Sequence, residues 1–164
     1  EGKYRKNHFN GVATIVSKLL NLFKPNDVYF GEKDYQQIQI IKELLIIEKT
    51  NVNIIVCSTI REKNGLALSS RNNLLADFER EKSSIIFESL TFLKKNFNTA
   101  KLDSIKKSII KSIEKNKNFK VEYLEIADSK TLQIHKKIYP RKSYRAFICV
   151  KVNKVRLIDN ILLN

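Results

Sequence analysis

The sequence predicts an α/β protein in which a parallel sheet is followed by a smaller α+β region. Three observations predict it: a strand, helix and strand in succession in the first third, two long amphipathic helices in the middle, and strands ending in a hairpin in the last third. Of the 164 residues 43% are hydrophobic, which is enough to bury a core, and only 4 are Gly and 2 are Pro. This composition excludes disordered and collagen-like chains.

The first third predicts a parallel strand-helix-strand unit. Its elements are a helix over about Gly11–Phe23, which Pro25 ends, a strand over Asp27–Phe30 closed by Gly31, a helix with Ile38, Ile41 and Leu45 on one face, and a strand over Val52–Cys57. A strand, helix and strand in this order are typical of a parallel sheet with a right-handed crossover.

The rest of the chain changes its pattern after a polar loop from Arg61 to Asn73. Two helices are predicted from Ile86, Leu90, Leu93 and Phe97 and from Leu102, Ile105, Ile109 and Ile113, with a turn over Asn96–Thr99 between them. Strands are predicted over Val121–Ile126, Arg145–Val152 and Val155–Ile158, and the last two form a hairpin at Asn153–Lys154. We place the domain boundary near Leu75.

The formal net charge of +14 raises the question of a nucleic-acid or membrane partner. The lysines are scattered over predicted helix surfaces, and the strands lack the alternating aromatic and basic residues of RNA-binding sheets. We therefore expect a solvated basic surface and no nucleic-acid partner, with a basic nucleic-acid-binding module as an alternative. We expect a cytoplasmic protein without a membrane partner, because no apolar run is long enough to span a bilayer and no secretory signal is present.

The cysteine, histidine and methionine content adds three expectations. Cys57 and Cys149 lie in apolar stretches, which argues against a disulfide framework. No close grouping of His, Cys and Asp is present, so we expect no protein-bound metal site. The chain has no Met, and we therefore expect it to be a piece of a longer protein.

A first candidate site lies in the octapeptide Phe30–Gln37, where a predicted strand ends and a helix begins. Ligands of open α/β sheets bind at this edge, next to the unpaired N–H groups of the following helix. Gly31 would allow close approach to the backbone, Lys33 can reach a phosphate, and Asp34 can accept from a ribose hydroxyl. The alternative is a turn glycine, a helix-capping aspartate and a solvent-exposed lysine.

A second candidate site lies in the loop Leu66–Asn72. Ser69, Ser70 and Arg71 supply two hydroxyls and a guanidinium, which together suit phosphate oxygens. The alternative is a serine helix cap next to an unrelated arginine.

These segments resemble the pantothenate synthetases, or pantoate beta-alanine ligases, which are nucleotidyltransferases with a Rossmann-like fold. The matching blocks, in order, are Glu1–Gly2, His8–Thr14, Phe30–Gln37, Thr59–Glu62, Gly65–Asn72 and Arg156–Asn160. Two long blocks at the correct spacing are far more specific than a lone glycine motif.

The resemblance implies the fold and the activity. Residues 1–75 would be the C-terminal part of a Rossmann-like nucleotide-binding domain, and residues 76–164 a small α+β lid domain. The implied ligase condenses pantoate with beta-alanine through a pantoyl adenylate, releases AMP and pyrophosphate from ATP, uses Mg²⁺ and forms a homodimer. Another adenylate-forming nucleotidyltransferase on the same scaffold is the alternative.

The resemblance also implies roles for individual residues. Gly31 and Asp34 would meet the ribose, and Lys33 the phosphates. Ile60 and Leu68 would frame the adenine, largely through backbone groups, and Gln37 would bind pantoate beside Phe30. Ser69, Ser70 and Arg71 would hold the triphosphate and then the leaving pyrophosphate. Lys33, Ser69, Ser70 and Arg71 would act by charge and positioning, without an acyl-serine, and both groups would surround one nucleotide. Arg5 and His8 match a basic segment near the site without individual roles, and His8 could instead be a structural capping group. The family's His-x-Gly-His motif has no counterpart, so we expect the chain alone to be inactive.

Overall fold

The computed structural model describes residues 1–97, 101–135 and 138–164. The chain forms two compact units, Glu1–Thr59 (the first unit) and Ile60–Asn164 (the second unit). The domain boundary after residue 75 stays a prediction, because compact packing within this chain does not define the domains of a whole protein. No helix among the described residues has the length and apolar character needed to cross a bilayer.

The first unit contains the predicted parallel strand-helix-strand arrangement. Its elements are α1 (His8–Phe23), β1 (Asp27–Gly31), a short 3-10 helix (Glu32–Asp34), α2 (Tyr35–Ile47) and β2 (Asn53–Cys57). The two strands pair in parallel, from Asp27 opposite Asn53 to Gly31 opposite Cys57. The carboxyl end of β1 therefore leads through the 3-10 helix into α2.

The core of the first unit follows from the helical and strand periodicities. The three residues predicted to share one face of α2 are all buried: Ile38, Ile41 and Leu45. Ile41, Leu45 and Leu20 of α1 form a cluster on which apolar side chains of both strands pack. Along β1, Val28 and Phe30 join this cluster whereas Tyr29, which points to the opposite face, is exposed.

The second unit begins with a short hairpin and continues with helices packed on an antiparallel sheet. Its further elements are a 3-10 helix (Ser70–Leu74), α3 (Asp77–Lys82), α4 (Ile85–Lys95), α5 (Leu102–Glu114), β3 (Phe119–Asp128), β4 (Tyr144–Val152) and β5 (Val155–Leu162). The strand order is β3-β4-β5, with antiparallel neighbours. Buried side chains of α4, including Ile86, Leu90 and Leu93, share one core with β4 residues such as Ile148 and Val150.

The predicted fold class is confirmed, with differences at the ends of elements. The hairpin between β4 and β5 turns at Asn153, whose φ of 53° is left-handed. The 3-10 helices and α3 were not predicted. Of the predicted turn over residues 96–99, Asn98 and Thr99 lie outside the described residues. Neither cysteine forms a disulfide within the described residues; Cys149 is buried in β4 and Cys57 is exposed at the end of β2.

Candidate functional site

Gly31 ends β1 with an ordinary extended backbone, φ −69° and ψ 130°. A Cβ atom built at this position would meet no atom of the described residues within 4 Å, leaving aside its two chain neighbours. Neither a left-handed backbone nor close packing in this part of the chain explains why the residue is glycine. The position is open to close approach by a ligand.

Lys33 and Asp34 follow in the 3-10 helix. Asp34 occupies the N-cap position of α2, yet its carboxylate makes no capping hydrogen bond. The predicted alternative, a simple helix cap, therefore does not describe Asp34. Its Oδ2 lies 3.9 Å from Nζ of Lys33, and the Asp34 side chain is half exposed whereas that of Lys33 is largely covered. The arrangement offers a cation and a hydrogen-bond acceptor at one sheet edge.

Gln37, in the first turn of α2, lines a cleft of about 620 Å³. The cleft combines polar and apolar walls, and its lining includes Arg5, His8, Val12, Ile15 and Val16. Nη1 of Arg5 lies 2.8 Å from Nε2 of His8, and the same nitrogen lies 3.5 Å from the Glu1 carboxylate. Arg5 and His8, which had no assigned role, thus share a cleft with the residue expected to bind pantoate.

Phe30 is not part of the lining of this cleft. Its half-buried side chain packs against the core cluster of Leu20, Ile41 and Leu45. The packing of Phe30 is accounted for by the core of the unit, and its role as an apolar wall beside Gln37 stays a prediction.

The loop predicted over residues 61–73 begins as a tight hairpin. The backbone N–H of Leu68 donates to the carbonyl of Ile60 at 2.9 Å, and the N–H of Glu62 donates to the carbonyl of Leu66 at 2.8 Å. The hairpin brings Ile60 and Leu68 together at its open end, where 71% and 52% of their surfaces are exposed. The two residues expected to frame the adenine are therefore neighbours and accessible.

The tip of this hairpin requires glycine. Gly65 has a φ of +90°, and a Cβ there would lie 3.0 Å from Cδ1 of Phe87 on α4. Both the backbone conformation and the close contact exclude a larger residue without rearrangement.

Ser69, Ser70 and Arg71 form a turn directly after the hairpin. Oγ of Ser69 accepts from the backbone N–H of Arg71 at 3.3 Å and caps the 3-10 helix Ser70–Leu74. The predicted alternative of a serine cap is thus correct for Ser69. Ser70 and Arg71 are exposed, so their hydroxyl and guanidinium face solvent at the turn.

Two ion pairs fix the hairpin within the second unit, and neither was predicted. Arg61 forms a two-point pair with the carboxylate of Asp159, with N–O distances of 2.6 and 3.1 Å. Its guanidinium also lies 3.7 Å from the centroid of the Phe87 ring and donates to the carbonyl of Gly65. Glu62 accepts from Arg80 at 2.8 and 2.9 Å. These hydrogen bonds from Arg80 are the main reason that the pKa of Glu62 is lowered.

Comparisons with known sequences and structures both match this chain to pantothenate synthetases. The chain is 45% identical over 163 residues to the pantothenate synthetase of Flavobacterium psychrophilum, covering 99% of this chain and 58% of that protein. The crystal structure of pantothenate synthetase from Thermus thermophilus superposes with a TM-score of 0.89 at 30% identity, over 99% of this chain and 58% of that one.

A third relative was crystallised with ligands. Pantoate-beta-alanine ligase from Francisella tularensis, complexed with beta-gamma ATP and beta-alanine, matches with a TM-score of 0.73 at 37% identity. This match covers 99% of our chain and 53% of that structure. The chain thus spans somewhat more than half the length of these relatives.

The family comparison agrees with these individual matches. The sequence model of the family described as pantoate-beta-alanine ligase matches residues 1–162, nearly the whole chain. The resemblance inferred from the sequence blocks is confirmed: this chain belongs to the pantoate-beta-alanine ligase family.

Proposed function

We propose that this chain contributes to the ATP-dependent condensation of pantoate with beta-alanine. Family membership supports the reaction, and the Francisella tularensis relative was crystallised with beta-gamma ATP and beta-alanine. The structural observation that carries the proposal is the exposed apolar pair Ile60 and Leu68, followed after Ser69 by the exposed Ser70 and Arg71. An adenine ring suits the first two residues and phosphate oxygens suit the last two.

The proposed reaction has two steps. A carboxylate oxygen of pantoate attacks the α-phosphorus of ATP, the bond from that phosphorus to the bridging oxygen breaks, and pyrophosphate leaves. The amine of beta-alanine then attacks the carbonyl carbon of pantoyl adenylate, AMP leaves, and the nitrogen gives up a proton as the amide forms. The first step brings together two anions, so fixed cations and oriented donors lower its barrier.

The proposed roles of the residues are to offset charge, to donate hydrogen bonds and to bind the ribose. Lys33 and Arg71 offset the charge of the phosphates, and Ser69 and Ser70 donate to phosphate oxygens. Gly31 admits the nucleotide close to the backbone, and Asp34 accepts from a ribose hydroxyl. Neither serine acts as a nucleophile, because the substrate carboxylate itself forms the activated intermediate.

The cleft at Gln37 suits a small branched hydroxy acid. The carboxamide of Gln37 can donate to and accept from the hydroxyl and carboxylate oxygens of pantoate. Val12, Ile15 and Val16 in the cleft lining can contact the methyl groups, and Arg5 with His8 favours an anion there.

The remaining partners stay proposals. Mg²⁺ would arrive on the phosphates of ATP, since the residues assigned to them are cations and hydroxyl groups, whereas Mg²⁺ prefers carboxylate and phosphate oxygens. A homodimer and the closing motion of a lid rest on the family resemblance alone.

The proposal is tested with the full-length natural protein that contains these 164 residues. ATP and pantoate without beta-alanine should yield pyrophosphate and enzyme-bound pantoyl adenylate, and beta-alanine should then release AMP and pantothenate. A panel of other carboxylic acids is the control. Adenylation of a different acid in preference to pantoate would support the alternative nucleotidyltransferase. The 164-residue chain assayed alone is expected to release no AMP.

A further inference from the structure

Asn72 is a buried side chain beneath an exposed turn. It follows Ser69–Arg71 directly, and only 1% of its surface is exposed. Its Nδ2 donates to the backbone carbonyl of Ala67 at 3.2 Å and to Oε1 of Glu62 at 2.5 Å. Glu62 and Ala67 lie on the two strands of the hairpin, so one amide ties the turn to both of them.

Glu62 receives hydrogen bonds from two directions. Arg80, on α3, donates from Nε and Nη2 to both carboxylate oxygens, at 2.8 and 2.9 Å. Asn72, which directly follows the turn, donates to Oε1 of the same carboxylate. The Glu62 carboxylate is therefore the junction between the hairpin, the turn and α3.

The side chains of the turn lie mostly outside the core, and Leu75, directly after the 3-10 helix, is the buried residue that joins it. Ser70 and Arg71 are exposed, and so is Leu74 at the end of the 3-10 helix. A turn that presents polar side chains to a ligand cannot bury them, so hydrogen bonds of neighbouring side chains add to the packing of Leu75 in fixing its backbone. Charge-assisted hydrogen bonds such as those at Glu62 are the strong and directional kind.

The geometry points to Glu62, Asn72 and Arg80 as positioning residues for the phosphate-binding turn Ser69–Arg71. This inference rests on the proposed function. The three side chains do not touch the nucleotide themselves; they hold the backbone of the turn so that Arg71 and the serines meet the triphosphate in one orientation. A displacement of about 1 Å at such a turn reduces a rate roughly 100-fold.

The test uses Arg80→Ala and Asn72→Ala in the full-length protein, with Lys82→Ala on the same helix as the matched control. Each variant is first shown to be folded by circular dichroism and thermal unfolding. Single-turnover adenylate formation should then fall about 10-fold to 100-fold in the first two variants, per folded molecule. The KM for pantoate should change less than about twofold, because pantoate has its own cleft. Lys82→Ala should match the parent.

Two further measurements keep the inference testable. Arg80→Lys keeps the charge but loses the two-point contact, so its rate should lie between those of the parent and Arg80→Ala. It takes the place of Arg80→Ala if that variant does not fold, and its rate should then be below that of the parent. Hydrogen exchange of the amides of residues 68–75 should be faster in Arg80→Ala without substrate present. Parent-like exchange and parent-like rates in folded variants would overturn the inference. A parent protein that forms no adenylate would instead overturn the proposed function, and the exchange data would still decide whether Arg80 fixes the turn.

Discussion

Arg61 and Asp159 are 98 residues apart in the sequence and form a two-point ion pair in the second unit. The Asp159 side chain is 2% exposed and that of Arg61 is 19% exposed, so both charges are largely removed from water. Arg61 belongs to the hairpin that presents Ile60 and Leu68, and Asp159 belongs to β5. The last strand of the sheet therefore anchors the hairpin that carries the candidate adenine contacts.

Asp159→Asn should destabilise the second unit by about 2 to 3 kcal/mol, because it leaves the Arg61 charge without its partner in a covered position. Urea unfolding followed by circular dichroism measures the change. Asp103→Asn, an exposed position on α5, is the matched control and should stay within about 0.5 kcal/mol of the parent.

The double variant Arg61→Met with Asp159→Asn distinguishes the loss of the ion pair from the cost of leaving the Arg61 guanidinium without its carboxylate. Replacing both members of a covered ion pair is less harmful than removing one, so the double variant should be at least as stable as Asp159→Asn. A double variant clearly less stable than Asp159→Asn would contradict this explanation.

Gly65→Ala should destabilise the hairpin by about 1 to 2 kcal/mol, because L-residues are strained at a φ of +90°. The added Cβ also lies 3.0 Å from Phe87, whose ring contacts Arg61. The thermal midpoint and urea unfolding of the variant measure the loss.

Gly11→Ala provides the contrast within the same chain. Gly11 lies inside α1, and a Cβ there would meet no atom of the described residues within 4 Å, apart from its own helix backbone and chain neighbours. Alanine should stabilise the helix by up to about 1 kcal/mol. Equal effects of the two substitutions would show that the hairpin tip does not require glycine.

The elements of the fold could be predicted wherever the apolar period extends over several turns. Ile38, Ile41 and Leu45 predicted a helix face, and all three are buried on α2. The short α3, Asp77–Lys82, was missed because six residues carry too little periodicity. Its start is marked instead by the Glu79 carboxylate, which accepts from the backbone N–H of Ala76 at 3.2 Å.

The candidate site could be predicted only where its residues are consecutive. Ser69, Ser70 and Arg71 adjoin each other in the sequence, so their shared chemistry was visible. The ion-pair partner of Arg61 could not be predicted, because the chain has 17 acidic residues and no local pattern selects Asp159 among them. The buried position of Asn72 was hidden for the same reason, since its partner Glu62 belongs to the preceding strand of the hairpin.

Lys33→Ala and Arg71→Ala should each raise the barrier to adenylate formation by about 2 to 4 kcal/mol, because each removes a cation that we propose offsets developing phosphate charge. Single-turnover release of pyrophosphate from ATP and pantoate in the full-length protein measures the effect. Lys42→Ala on α2 and Lys63→Ala in the hairpin are exposed controls for general charge and should leave the rate unchanged.

Gln37→Ala serves as an internal comparison for the two cation variants. It should act mainly through a higher KM for pantoate, since the contact proposed for Gln37 is to the substrate rather than to the reacting phosphate. Parent-like single-turnover rates in both Lys33→Ala and Arg71→Ala would contradict the proposed roles of these two cations at the phosphates.

We expect the stability of the second unit to depend on pH through Asp128. Its Oδ1 accepts from the backbone N–H groups of Thr131 and Lys130, both at 2.9 Å, and its Oδ2 lies 3.4 Å from Nζ of Lys142. These contacts, that of Thr131 foremost, lower the pKa of Asp128 from an ordinary 3.8 to about 2. Because the folded state binds this proton less tightly than the unfolded state, the stabilisation is fully present above about pH 4 and is lost as the pH falls toward 2.

Asp128→Asn keeps an oxygen that can accept from Thr131 and Lys130 but removes the charge. The variant should therefore be less stable than the parent at about pH 6, and the difference in thermal midpoint should shrink between about pH 4 and pH 2 as the parent carboxylate takes up its proton. Glu81→Gln, an exposed position on α3, is the control and should show little difference at either pH. A stability difference for Asp128→Asn that stays constant over this whole pH range would mean that the charge of Asp128 does not stabilise the folded state.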